Sequence, residues 1–433
     1  MDNQILLSCR SLAKTHAGVK SKIQNVAIVG AGPAACTLAI LLARAGRSVT
    51  MFFQPKRAPI ILGETLVPAI IPILRLLGVE DEVRSFSMLK PGATVNLSEA
   101  VNFSFPFDQL RGSFPRYSYN VPRDRFDDTL LDAARRAGAK VIEASARVER
   151  VGETDRVKLS QATLVATGGA LTGQPDLIVD ATGRLRMIPQ LLGIPSERGG
   201  REDTALFAHV DCTKLDHEGH IHATRLDHGW SWRIPLPGRV SVGIVIGTVF
   251  LSKFGTTKED RFDNLLRQDS VMREVAGGAK RLTPVMEYKN YQLVSTRIIG
   301  DGWALVGDTA GFIDPIFSSG LLIAMDGAVA LAAAIRKGTP QAFKRYEGEV
   351  IHHLQCWHEI VEYFYDGRLF TSFQVGQKMQ KNPLVRLISQ HLNKHFGGIF
   401  TGAASSSRYS VGLLRFVVKY GLKDEDPDDL RIR

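Results

Sequence analysis

Gly30, Gly32 and Ala35 are spaced as G-x-G-x-x-A immediately after a short apolar run. Small side chains at these positions let backbone N–H groups and a helix N-terminus approach a pyrophosphate, so the chemistry on offer is the binding of an adenine dinucleotide. Pro33 stands at the first helical position, where a missing N–H is tolerated, and Ala34 completes the turn. An ordinary tight strand-to-helix turn would use similar residues; a strand before the glycines and an apolar helix after them favour the dinucleotide.

Other residues with chemical potential are weaker signals. His217, His220 and His222 could suggest a metal. They fall between strand-like segments with no nearby cysteine and no His-x-x-x-His helix, so a hairpin surface is the expectation and no metal site is assigned. Cys9, Cys36, Cys212 and Cys356 are scattered without C-x-x-C spacing, which implies neither a disulfide framework nor a zinc knuckle and leaves a reducing cytoplasm as the expected setting. The formal net charge of +10 could serve nucleic acid, an anionic surface or an acidic partner protein; no dense Lys/Arg run with interleaved aromatics occurs, so nucleic acid is set aside. With 44% hydrophobic and 23% charged residues in 433, the composition is that of a globular protein with a sizeable core. Residues 1–24 read as a flexible basic extension whose apolar part is too short for a signal peptide, and no apolar run is expected to span a membrane.

The elements that must position the chemistry can be taken in order. Residues 26–29 read as a buried strand, 30–32 as the turn, and the following residues as a helix closed by Gly46. Residues 48–53 give a second parallel strand, whose end in such folds offers an acidic side chain to the adenosine ribose. Phe53 and Gln54 stand there instead, and Gln54 is the candidate ribose partner. A helix is expected after Pro68, ending at Gly78, and a strand pair over 92–107 where the chain leaves the nucleotide-binding lobe. The chain returns through a helix within 121–138 and a buried strand at 176–180 that runs into a small-residue turn. Residues 204–247 alternate as an antiparallel sheet, followed by a short amphipathic helix near 260–266. A strand at 303–306 leads into residues 307–335, whose second half is a long small-residue helix; the rest is helical, with a charged tail expected to fray.

Four separated stretches then agree. The G-x-G-x-x-A turn, the V-x-R-x-x-F-D segment (Val121, Arg123, Phe126, Asp127), the D-A-T-G turn (Asp180 to Gly183) and the G-D pair (Gly307, Asp308) together resemble the FAD-dependent aromatic hydroxylase superfamily. The resemblance implies an α/β fold with a discontinuous Rossmann-like FAD-binding lobe (25–90, 115–200 and 290–340). An antiparallel substrate-side sheet (91–114 and 201–289) and a helical C-terminal region (341–433) complete it. It implies that Asp308 approaches the ribityl and pyrophosphate region of FAD and that Arg123 lies along the cofactor, with Asp180 and Gly183 nearby. GETLVP (Gly63 to Pro68), GWSWRIP (Gly229 to Pro235) and DPIFSSG (Asp314 to Gly320) resemble the flavin-dependent halogenase branch. That branch has a W-x-W-x-I-P segment and a D-P-x-x-S-S/T-G turn by the isoalloxazine, which adds Glu64, Pro315 and Gly320 to the cofactor set and Ser318 and Ser319 to the reacting side.

Halogenases also use a lysine beyond the G-E-x-x-x-P segment to hold or activate hypohalous acid. Lys90 is similarly placed, and is otherwise a solvated loop lysine before Pro91. Trp230 and Trp232, two apart on a strand, share a face that either borders flavin and substrate or simply packs the sheet. Tryptophan-specific halogenases have a glutamate just before the S-T-G turn, where Phe317 stands here.

The shared chemistry of these families is reduced FAD with O2, giving a flavin C4a-hydroperoxide. The leading expectation is a monooxygenase hydroxylating an indole or phenol ring, extended to a tryptophan in an acidic partner polypeptide by a resemblance to the flavoproteins of tryptophylquinone biogenesis. The alternatives are a halogenase of a phenolic or pyrrolic substrate, a prenyl-chain reductase, and a binding module without chemistry. Electrons would come from NAD(P)H or a flavin reductase.

Overall fold

The computed structural model describes residues 22–432 except 56–57, 98–100, 111, 113, 214, 216, 269, 290–291, 380–382 and 423–425, and the backbone alone of 271, 376–379 and 383–389. The expected basic extension therefore lies, up to residue 21, outside the described residues.

Asn25–Val29 is apolar after its first residue because both faces of the sheet it centres are covered. It pairs in parallel with Leu177–Asp180 on one side and Ser48–Phe52 on the other. Trp303–Leu305 extends the sheet beyond Leu177–Asp180, Lys140–Ile142 extends it beyond Ser48–Phe52, and Ile299–Gly300 closes one edge antiparallel. In this register Val29 is level with Asp180 and Asp180 with Leu305. The loops after three strands therefore emerge at the carboxyl edge of the sheet, where open α/β sheets bind ligands.

The second sheet has seven strands: Met286–Lys289, Asp203–Val210, Arg239–Gly247, Gly229–Leu236, Ile221–Leu226, Gly92–Asn96 and Asn102–Pro106, in that spatial order. All neighbours are antiparallel except Ile221–Leu226 with Gly92–Asn96. Alternation sorts the side chains: Ala205, Phe207, Trp230 and Trp232 join the main core, while Leu206, Ala208, Val242 and Ile244 join a second cluster with Phe262 and Leu265 of helix Lys258–Gln268.

Two features depart from the sequence reading. Helix Ser319–Lys337 is long and apolar enough to cross a membrane by length and composition, contrary to the expectation that no run approaches a span. It is 67% buried inside the protein, packed against helix Pro33–Arg44 and helix Pro340–Tyr365, so its apolarity serves the core. The tail, expected to fray, is docked over its described part. Pro427–Leu430 forms a 3-10 turn, Ile432 is buried and donates its N–H to the Tyr365 carbonyl at 2.9 Å, and Arg225 donates to the carbonyls of Leu430 and Arg431. Charge composition misled there because the anchoring groups are backbone carbonyls.

Candidate active site

The nucleotide end is built by close approach of three loops. Gly30 has φ +125°, and a Cβ there would lie 2.2 Å from the Ala181 carbonyl oxygen, so the first turn and the D-A-T-G turn touch only because residue 30 is glycine. A Cβ on Gly307 (φ +68°) would stand 3.2 Å from Ala34, and the Thr309 hydroxyl donates to the Gly183 carbonyl at 3.3 Å. Gly32, by contrast, faces open space and is the N-cap residue of helix Pro33–Arg44, with no side chain covering the first N–H groups; Ala35 is fully buried beneath. An open helix terminus walled by two further loops is a fitting cradle for the pyrophosphate of FAD.

Asp180 requires a correction. Its carboxylate accepts from Thr182 N at 3.0 Å and Thr182 Oγ1 at 2.6 Å in its own turn and from Ile188 N at 2.6 Å at the start of helix Met187–Leu192. Burial pushes its pKa up against those hydrogen bonds, and its role is to shape the loop rather than to meet the cofactor. Gln54 donates its amide to the Ser145 hydroxyl. Arg186, which no sequence argument singled out, sits in the left-handed region and ties the loops together by donating to the Thr309 carbonyl at 3.1 Å.

Arg123 begins helix Arg123–Arg136 and is buried in a two-pronged pair with Asp127, at 3.0 and 3.1 Å. Its remaining arm donates to the Leu62 carbonyl beside Gly63, where a Cβ would come within 2.8 Å of the guanidinium. Burial raises Asp308 to about 6, opposed by the nearby Arg123 and Arg184 charges. A carboxylate in this position can accept from ribityl hydroxyls.

The GETLVP segment runs beside strand Ser118–Asn120: the Leu66 N–H donates to the Tyr119 carbonyl and Val121 N–H to the Glu64 carbonyl. Met88–Lys90 pairs with the same strand, which carries Lys90 beneath the segment. Lys90 is 2% exposed, and its Nζ donates to the Leu66 carbonyl at 2.8 Å. It stands 5.7 Å from the Phe107 ring centroid, and burial brings its pKa down to about 7. The solvated-loop reading is thereby excluded. Glu64, expected at the cofactor, has its carboxylate 2.7 Å from Nε2 of buried His209 on the substrate-side sheet.

The DPIFSSG turn is held by Asp314, which accepts from Ile316 N at 3.0 Å, and by Ser318 N donating to the Pro315 carbonyl at 3.1 Å. Ser318 adopts φ 54°, ψ 27°, a left-handed conformation that costs a non-glycine residue about 1 kcal/mol. That kink starts helix Ser319–Lys337 so that buried Ser319 and Gly320 line a cavity of about 10 Å³ together with Asp308, Phe312 and Asp314. The cavity admits one water-sized group at the positive end of the helix.

Trp230 and Trp232 do share a face, with ring centroids 5.6 Å apart, yet both are buried and both indole N–H groups are engaged. Trp232 donates to Ser241 Oγ at 3.2 Å and packs where Gly243 has no side chain. Trp230 donates to the Tyr365 hydroxyl at 3.0 Å, which donates in turn to Asp314 Oδ2 at 3.0 Å. The expected catalytic role gives way to positioning: strand, helix Pro340–Tyr365 and turn are joined through one phenol. Tyr365 lies in no motif and left no sequence signal. Phe317 stacks on Trp357 and meets Phe364 and Phe400, an aromatic cluster in place of the carboxylate of tryptophan-specific enzymes. His220 pairs with Thr94 Oγ1 at 3.1 Å and with the His217 ring, and among the described residues no three metal-ligating side chains gather.

Several known proteins are similar to this chain in sequence or in fold. The tryptophan 2-halogenase of Chondromyces crocatus is 29% identical over 378 residues, 83% of this chain and 72% of that protein. The 1H-pyrrole-2-carbonyl-[peptidyl-carrier protein] chlorinase of Pseudomonas fluorescens is 24% identical over 395 residues, 81% and 85% of the two chains. Among solved structures, the myxobacterial chondrochloren halogenase CndH aligns with a TM-score of 0.71 and 27% identity, over 79% of this chain and 82% of that one. The flavin-dependent brominase Bmp2 aligns with a TM-score of 0.74 and 22% identity, over 93% and 100%, which speaks to the fold. The sequence profile of the tryptophan halogenase family matches residues 93–383, well over half of the chain, and the protein therefore belongs to this family of FAD-dependent oxidoreductases.

Proposed function

We propose that the protein is a flavin-dependent halogenase of a phenolic or pyrrolic ring. The observation that carries the reading is Lys90: a buried amine, tied to the GETLVP segment, with a pKa lowered to about 7. Reduced FAD with O2 supplies the oxidising equivalents that convert halide to hypohalous acid. Lys90 Nζ, protonated, donates a hydrogen bond to that acid and presents its halogen to the ring. Burial beside the Phe107 ring keeps bulk water from Lys90, and the Phe317 cluster accepts an apolar aromatic face rather than pairing with an indole N–H. Hydroxylation, including that of a tryptophan in an acidic partner polypeptide, is the less supported reading because the relatives are named as halogenases.

The test is to incubate the purified protein with FAD, a flavin reductase, NADH, O2 and bromide, and to screen phenols and pyrroles by mass spectrometry. A brominated product that requires Lys90 is expected. Oxygenated product formed equally well without halide would overturn the reading.

A further inference from the structure

A second cavity lies apart from the loops described above. A cleft of about 1260 Å³ runs along helix Ser319–Lys337, between it, helix Pro340–Tyr365, helix Pro383–Phe400 and the start of helix Arg408–Tyr420. Ile323, at its inner end, also lines the small cavity at the DPIFSSG turn. From Ile323 to Lys337 the helix covers about 21 Å at ~1.5 Å per residue. Ile323, Gly327, Ala330 and Ala334 furnish a shallow apolar wall along that length, with Val350 opposite.

The exposed part of the lining differs in kind. Lys337, Arg345, Lys394 and Arg408, contributed by four separate helices, all border the cleft and are all solvent-exposed. The acidic side chains in the lining are Glu349, which pairs with Arg345 at 2.8 Å, and Asp326, which lies deeper, 3.9 Å from His353 Nδ1. Four cationic side chains against two carboxylates border the cleft, and the first turn of helix Arg408–Tyr420 adds its positive end. A long apolar wall with cations at the mouth matches a molecule with the complementary distribution.

We propose that this cleft binds an extended small molecule that is apolar over most of its length and ends in one anionic group, a carboxylate or a phosphate ester. The anion lies among Lys337, Arg345, Lys394 and Arg408, and the other end reaches Ile323 beside the flavin turn. The molecule so held is the non-reacting part of the substrate; that last assignment rests on the halogenase reading, whereas the binding does not.

The experiment is a fluorescence titration of the FAD-loaded protein with 11-(dansylamino)undecanoate, displaced by dodecanoate, dodecyl phosphate or dodecanol. At least one anion should compete more than tenfold better than the alcohol, and the ranking of the two anions identifies the group. Ala330→Trp, which plugs the cleft, should abolish probe binding while the flavin absorbance per protein is kept. The surface double variant Lys337→Gln/Arg408→Gln should weaken the anions about tenfold and leave dodecanol unchanged. Dodecanol binding as tightly as both anions, or wild-type affinity in Ala330→Trp, overturns the proposal. Anion binding without any bromination would count against the halogenase reading alone, and bromination without anion binding against the cleft alone.

Discussion

Replacing Lys90 with methionine should abolish halogenation and at the same time make the protein more stable at neutral pH. In the unfolded chain the amine holds its proton up to its ordinary pKa of 10.5, whereas in the fold burial lowers that to about 7. Between those values unfolding takes up a proton, so stability rises with pH across the window. The linkage places the destabilisation from Lys90 at about 4 kcal/mol at pH 7 and about 2 kcal/mol at pH 9. Methionine has similar length and no charge to desolvate; it forfeits the hydrogen bond to the Leu66 carbonyl, worth about 1 kcal/mol. Lys90→Met should therefore exceed the wild type by about 3 kcal/mol at pH 7, narrowing to about 1 kcal/mol at pH 9. Urea unfolding of both proteins at the two pH values, followed by tryptophan fluorescence, measures the gap. A variant less stable than the wild type at pH 7, or a gap indifferent to pH, would refute the claim that a desolvated amine occupies this position.

Other outcomes follow from the same geometry. Halogenation by the wild type should decline as pH rises through about 7, where Lys90 loses the proton it donates; a flat profile from pH 6 to 9 would contradict that role. Tyr365→Phe removes the hydroxyl between Trp230 and Asp314, at a cost of about 3 kcal/mol in unfolding free energy. With the turn loosened, the variant should retain FAD but release more hydrogen peroxide per NADH consumed; unchanged coupling would reduce Tyr365 to a packing residue. Gly30→Ala drives a methyl group into the Ala181 carbonyl and Gly32→Ala puts one into the open space that the pyrophosphate would occupy, so FAD content after purification should fall at least tenfold in both, while the melting temperature of the FAD-free protein drops only in Gly30→Ala.

Local patterns carried much of this architecture. The strand, glycine turn and helix at residues 25–44 were legible because G-x-G-x-x-A, Pro33 and the apolar run agree, and the strands within 203–247 because their alternation has period two. Roles set by partners distant in sequence were not legible. Asp180 looks like a cofactor ligand until Thr182 and Ile188 claim its oxygens; Glu64 does until His209, 145 positions away, accepts its company. The two tryptophans look catalytic as a motif, but each indole has a single N–H and spends it on Tyr365 or Ser241, whereas Lys90 keeps further N–H donors beyond the one given to Leu66. Tyr365 and the docked tail were invisible because their partners lie up to 231 positions away and include main-chain carbonyls, which no composition encodes.

The contact between Gly30 and Ala181, and between Thr309 and Gly183, bears on when the protein becomes able to hold its cofactor. Gly30 leaves the ribosome early, but the walls of its cradle come from residues near 181 and 309. A nascent chain that has reached residue 200 carries the complete fingerprint and lacks one wall. Flavin capture is thus a late event of biosynthesis, and bound FAD certifies that distant parts of the chain have already met.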